Sequence, residues 1–235
     1  MLTMTLQRTT SISISRLVIS VLLTVFAVLP ASAQRKANKD AAVKDTVALF
    51  KGFSVSADIV GPIMMAVSDY GQYEAALHLN LKDKYFPVVE VGYGKADHTE
   101  ETTKMTYKTS APFFRIGTDF NVLKNKHDIY RLLVGARYGF TTFKYDLSSP
   151  GVNDPVWGGT SEYSATDVKC NYHWIEAGIS VDVKLAGPVH LGWSARYKQR
   201  LSANEGPLGK AWYVPGYGKT GTSTFGILFN VAIDI

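Results

Sequence analysis

From Gly52 onward, apolar and polar residues alternate with a period of two in eight blocks. That spacing belongs to β-strands with one apolar and one polar face. Phe53, Val55, Ala57 and Ile59 share a face of the first block, and Tyr73 to Leu81 gives the second. Tyr85, Val89, Val91 and Tyr93 mark the third, although Pro87 predicts an early or irregular position in that strand. Phe114 to Phe120, Tyr130 to Phe140, Ile175 to Val183, Val189 to Tyr197 and Phe225 to Ile235 complete the set. Alternation over about 10 residues per block is the length a tilted membrane-crossing strand needs.

The connections sharpen the picture. Those after blocks two, four and six are short: Lys82 to Lys84, Leu123 to Asp128 and Leu185 to Pro188. Those after blocks three, five and seven read as long polar loops: Lys95 to Ser110, Lys144 to Asn171 and Leu201 to Ser223. Short turns on one rim and long loops on the other predict an all-β, eight-stranded antiparallel up-and-down transmembrane β-barrel. The turns would be periplasmic and the loops external. The barrel domain is expected over residues 52–235, after a polar lead-in at 34–51.

Residues 1–33 read as a signal peptide. Arg8 and Arg16 supply positive charge, Leu17 to Leu29 is an apolar run, and Ala31-Ser32-Ala33 is a small-x-small cleavage pattern. At 13 residues, the run is shorter than the roughly 20 that span a bilayer. Loss of the two arginines would lower the formal charge from +5 to +3, too weak a surplus to argue for nucleic acid. The single cysteine, Cys170, excludes an internal disulfide and any multi-cysteine zinc site.

Alternation alone does not say which face is inside. The polar face does. Four of the six arginines after residue 33 lie mid-block on it, Arg115, Arg131, Arg137 and Arg196, against two of 17 lysines, Lys184 and Lys198. A confined lumen favours arginine, whose planar fork can hold a carboxylate with two bonds. Asp58, Glu74, Glu90, Asp119, Glu176, Asp182 and Asp234 supply the matching acids. Together with the cations, Asp58, Glu74, Glu90, Asp119, Glu176 and Asp182 form the expected interior charge network. Glycines on the same face, among them Gly117, Gly135, Gly139 and Gly178, would make room for it. Aromatics near the block ends of the apolar face fit interfacial girdles. The closing block runs to Ile235, where outer-membrane strands usually end on an aromatic.

The phrases VEVGYGKAD, FFRIGTDFNVLK, LLVGARYGFTTFKYD, GWSARYKQRLS and WYVPGYGKTG resemble an uncharacterised family, a domain of unknown function, of small Gram-negative outer-membrane β-barrel proteins. The resemblance implies fold and location from about Phe53 onward, and no activity.

Little chemistry is written in the chain. Gly92-Tyr93-Gly94 and Gly216-Tyr217-Gly218 lack the following helix that a phosphate loop needs. The five histidines are scattered, with no pair at metal-ligand spacing, so neither metal nor cofactor is expected. The expected role is structural or surface interaction. Outer-membrane lipid is the expected partner, with a sugar or protein met at external loops through Trp157, Tyr163, Trp212, Tyr213 and Tyr217. One alternative is a lipid A or phospholipid-modifying barrel enzyme, with His190 and Ser194 on one inward face and Glu176 or Asp182 as third member. Another is a secreted soluble lipocalin-like carrier, whose apolar face would line a cavity. The export reading has a direct check: mass spectrometry of the protein from cells should find an N-terminus at Gln34, and an intact Met1 would contradict it.

Overall fold

The computed structural model describes residues 48–126, 128–153, 158 and 160–235. The expected signal peptide, and the lead-in as far as Val47, lie outside them. Eight strands close a barrel: β1 (Phe50–Asp58), β2 (Tyr70–Leu81), β3 (Tyr85–Thr99), β4 (Thr106–Asn121), β5 (Tyr130–Asn153), β6 (Thr160–Ala186), β7 (Val189–Asn204) and β10 (Ser223–Asp234). A helix, α1 (Val60–Val67), follows β1, and a two-stranded hairpin of β8 (Tyr213–Val214) and β9 (Gly218–Lys219) precedes β10. Every barrel pair is antiparallel between chain neighbours, with β1 against β10 closing the ring.

The barrel starts at Phe50, two residues before the sequence boundary. Pro87 is the third residue of β3, opposite Thr118, so its missing N–H falls near a strand end.

The long connections are corrected. Most of Lys95–Ser110 and Lys144–Asn171 is strand, and β5 and β6 pair as far as Asn153 and Thr160. The alternation hides there because it changes sign. On β5, outward positions run Tyr138, Phe140, then Thr142, Lys144 and Asp146, while Phe143 and Tyr145 point inward and are buried. On β4, Phe114 and Ile116 face out, but Lys108 and Ser110 take over above them, over buried Tyr107, Ala111 and Phe113.

The outer wall therefore carries an apolar belt with rings at its borders. Tyr73, Tyr93, Phe114, Phe140, Tyr197 and Phe225 form one border, with Tyr73 opposite Tyr93 and Tyr197 opposite Phe225. Phe114 and Phe140 stack at 5.5 Å. Tyr85, Phe120 and Tyr130 lie at the other, the first two edge to face at 5.4 Å. From Tyr130 to Phe140 is about 33 Å along the strand at roughly 3.3 Å per residue. Tilted by about 40°, that spans roughly 25 Å, the height of a hydrocarbon belt. No described helix is long and apolar enough to cross a membrane. Because the apolar face points outward, the lipocalin-like alternative loses its apolar ligand cavity.

Inward glycines set the room inside. Gly117 faces Arg137 across the ladder, and a Cβ there would lie 2.1 Å from the Ala136 carbonyl oxygen and 2.7 Å from the Arg137 side chain. A Cβ on Gly139 would meet the Trp174 indole at 2.3 Å. Gly139→Leu should therefore overpack the lumen and cost about 1–3 kcal/mol. Urea unfolding in detergent micelles should show a lower midpoint, and an unchanged one would mean that Trp174 can move aside.

Candidate functional site

The lumen is filled in two layers. Toward the turn rim sits a charge cluster. Toward the loop rim sits an aromatic layer plugged by the last connection.

Arg115 on β4 and Arg196 on β7 reach Glu74, Glu90 and Glu176 from three other strands. Arg115 places Nη2 2.7 Å from Glu74, Nη1 2.8 Å from Glu90 and Nε 3.5 Å from Glu176. Arg196 binds Glu90 with both ends of its fork, at 2.9 and 3.0 Å, and approaches Glu176 at 3.4 Å. Arg137 joins Glu90 at 2.7 Å to Asp119 at 2.8 Å. Lys198 lies 3.9 Å from Glu176. All eight side chains are buried, four acids against four bases. Of their donors, only the Nε atoms of Arg115 and Arg196 make no hydrogen bond among the described residues.

A second group lies nearer the turn rim. Arg131 is 3.3 Å from Asp182, and His190 lies between Asp182 and Asp234, at 2.9 Å from each. His190 Nε2 faces Asp234 without the alignment of a hydrogen bond. A cavity of about 60 Å³ adjoins them.

Two expected members of the network sit elsewhere. The Asp58 carboxylate accepts the backbone N–H groups of Val60, Gly61 and Phe229 at 3.3, 2.7 and 3.2 Å, fixing the start of α1 instead of pairing with a cation. Lys184 is exposed near the turn rim, because β6 has nearly ended there and its side chain reaches water.

The enzyme arrangement is not assembled. Both His190 nitrogens face carboxylates, and the buried Ser194 hydroxyl has no hydrogen-bond partner among the described residues. Among the described residues no three His, Cys, Asp or Glu side chains group to hold a metal.

The expected loop contacts divide three ways. Trp157 lies outside the described residues. Tyr163 is exposed on β6. Tyr213 and Tyr217 are buried in the plug, with Trp212 partly buried beside them. The plug is pinned from below, where Lys198 Nζ donates to the carbonyls of Gly216 and Tyr217 at 2.7 and 3.3 Å. It is pinned from the wall, where Tyr107 donates to the Tyr213 carbonyl at 2.8 Å. Gly216 has φ +79°, and a Cβ there would lie 2.4 Å from the Phe113 ring, so the turn requires glycine twice over. Burial pushes the phenols of Tyr213 and Tyr217 up from their ordinary range, so both stay neutral donors. Trp212 stacks on His98 at 4.1 Å.

Two further side chains join the cluster: Gln72, on the polar face of the second alternating block, and Trp174, which precedes the sixth. Trp174 donates its indole N–H to Glu176 at 2.7 Å, and Gln72 donates to Glu74 at 3.1 Å. Each sits two residues before its acid on the inward face, so the same period finds them, carried one step further for Trp174.

A family model described as a domain of unknown function (DUF6048) matches residues 14–234. No curated protein matches the chain. Among solved structures, neisserial surface protein A is 13% identical, with 79% of this chain and 99% of that one covered and a TM-score of 0.41. A major outer membrane protein from Thermus thermophilus is also 13% identical, covers 78% and 98%, and gives 0.42. Ail, the attachment invasion locus protein of Yersinia pestis, solved with the heparin analogue sucrose octasulfate, is 8% identical, covers 78% and 93%, and gives 0.36.

Glu90 meets three arginines, so its loss leaves the most buried charge without a partner. Glu90→Gln should cost about 3–5 kcal/mol, the usual penalty for breaking a buried pair from one side. Urea titration in micelles reads this, and a loss below that of Glu74→Gln would show that the arginines re-pair.

Proposed function

The chain belongs to the family described as a domain of unknown function (DUF6048), and we propose that it is an outer-membrane β-barrel of structural or surface-interaction type. In a Gram-negative cell it would be exported, cleaved near Ala33, and embedded with its turns in the periplasm. The observation that carries this reading is the change of sign along β4 and β5. Apolar residues face out over a belt about 25 Å tall, and above it polar residues face out over a buried aromatic interior. A soluble barrel has no reason to turn inside out partway along its strands. Lipid below and water above give one.

A closed lumen supports surface interaction over transport. The eight-charge cluster fills one half and the β8–β9 plug the other. Eight strands enclose just enough space for side chains. An external sugar or protein would then meet the β5–β6 hairpin, which presents Tyr163 together with exposed Lys144, Asp146, Asp167 and Lys169.

Gel electrophoresis of heated and unheated outer-membrane fractions tests the placement: the unheated protein should migrate as a compact species. A soluble protein without that shift would overturn it. In planar bilayers the barrel should give no stepwise conductance, and an Asp167→Cys variant on intact cells should react with a membrane-impermeant maleimide. Steady channel steps would replace the surface role with a pore.

A further inference from the structure

Among the described residues the wall has one opening. β1 stops at Asp58, opposite Asn230, while β10 continues from there to Ser223 without a strand on that side. The Phe229 carbonyl accepts the Ile59 N–H at 2.9 Å. Backbone groups alternate sides along a strand, so Ile227 and Phe225 turn theirs the same way, past the end of β1. The ladder on the other edge of β10 is complete, running from Ser223 to Ile233 against β7.

The opening lies beside the upper aromatic border, since Tyr73 and Phe225 flank it on β2 and β10. Across it runs α1, VGPIMMAV, with no charged or hydrogen-bonding side chain and with Ile63 and Val67 exposed. A helix of that composition suits contact with acyl chains, not water. Behind it lies a cavity of about 270 Å³ with Val60, Met64, Ile227 and Leu228 in its lining. Its polar lining includes two lysines. Lys198 is engaged by the plug carbonyls. Lys219 is largely exposed, its ammonium 5.4 Å from the Tyr70 ring centre and 5.2 Å from that of Trp212. The one acid of the lining, Asp58, already accepts three backbone N–H groups. The site is thus apolar along α1 and carries an exposed cation, Lys219, on its plug side.

We infer that this opening between β10 and β2 is a lateral binding site for an anionic amphiphile, one acyl chain entering past α1 and its acidic headgroup meeting Lys219. The volume falls just below that of small-ligand pockets, about 300 Å³ and upward, which suits one chain and excludes a whole multi-chain lipid. A headgroup oxygen would also accept from the free β10 edge, where unmet backbone donors at membrane depth are costly. The inference rests on the membrane reading.

The test uses the folded barrel in uncharged dodecyl maltoside micelles, titrated with dodecyl phosphate by calorimetry. Saturable binding with one site per barrel is expected. Lys219→Ala should weaken it at least ten-fold, Lys219→Arg should retain it, and Met64→Trp should block it by filling the mouth. Each variant must first show the same heat-dependent gel shift as the parent, so that lost binding is not lost folding. Loss of that shift in the parent itself would undo the membrane reading, whereas a shift without binding undoes only the lateral site. Equal affinity of the parent and Lys219→Ala, non-saturable uptake, or full competition by inorganic phosphate would each overturn the proposal.

Discussion

Four carboxylates and four cations buried in one lumen constrain the whole barrel, because each would be costly alone and together they cancel. Arg115 reaches from β4 to Glu74 on β2, and Arg196 crosses from β7 to Glu90 on β3. These bonds tie non-adjacent staves of the wall to one another, which the backbone ladders do not do. They also dictate where the wall is bare. Gly117 and Gly178 stand opposite Arg137 and Arg196 in the ladders, because a Cβ would collide with the arginine stems or the neighbouring backbone. The charge cluster thus selects both its own members and the small residues between them.

The cluster reaches upward through Lys198. Its ammonium lies 3.9 Å from Glu176 and holds the plug through two carbonyls. Trp174 makes the same connection from the aromatic side, packing near Tyr217 while donating to Glu176. Two chemically different layers are therefore stitched by two side chains with one end in each. This accounts for a connection rich in glycine and aromatics folding inward as a lid, where a polar loop would stay in water.

Symmetry of the wall fails only where β1 is short. Asp58 ends that strand by turning its carboxylate onto the N–H groups of Val60 and Gly61, starting a helix where a strand would otherwise continue. It serves the wall and not the lumen charge, although its place in the alternation is the same as that of Glu74. An inward position does not decide whether an acid meets an arginine or a backbone donor.

The strand alternation, the unequal rims and the arginine-rich polar face were legible in the chain, because a strand in a closed wall has only two faces and each must suit one solvent. Gly139 and Glu176 could be placed inward on that ground alone. The extent of β5 and β6 was not legible: past Phe140 the outward positions turn polar and the inward ones aromatic, so the pattern reverses and the reversed stretch reads as loop. Nor could the sequence show that Tyr213 and Tyr217 turn inward, that the Asp58 carboxylate accepts the N–H groups of Val60 and Gly61, or that Lys184 reaches water. Period and composition assign a residue to a face. Which partner it meets there depends on distances across the lumen, and those exist only once the ring has closed.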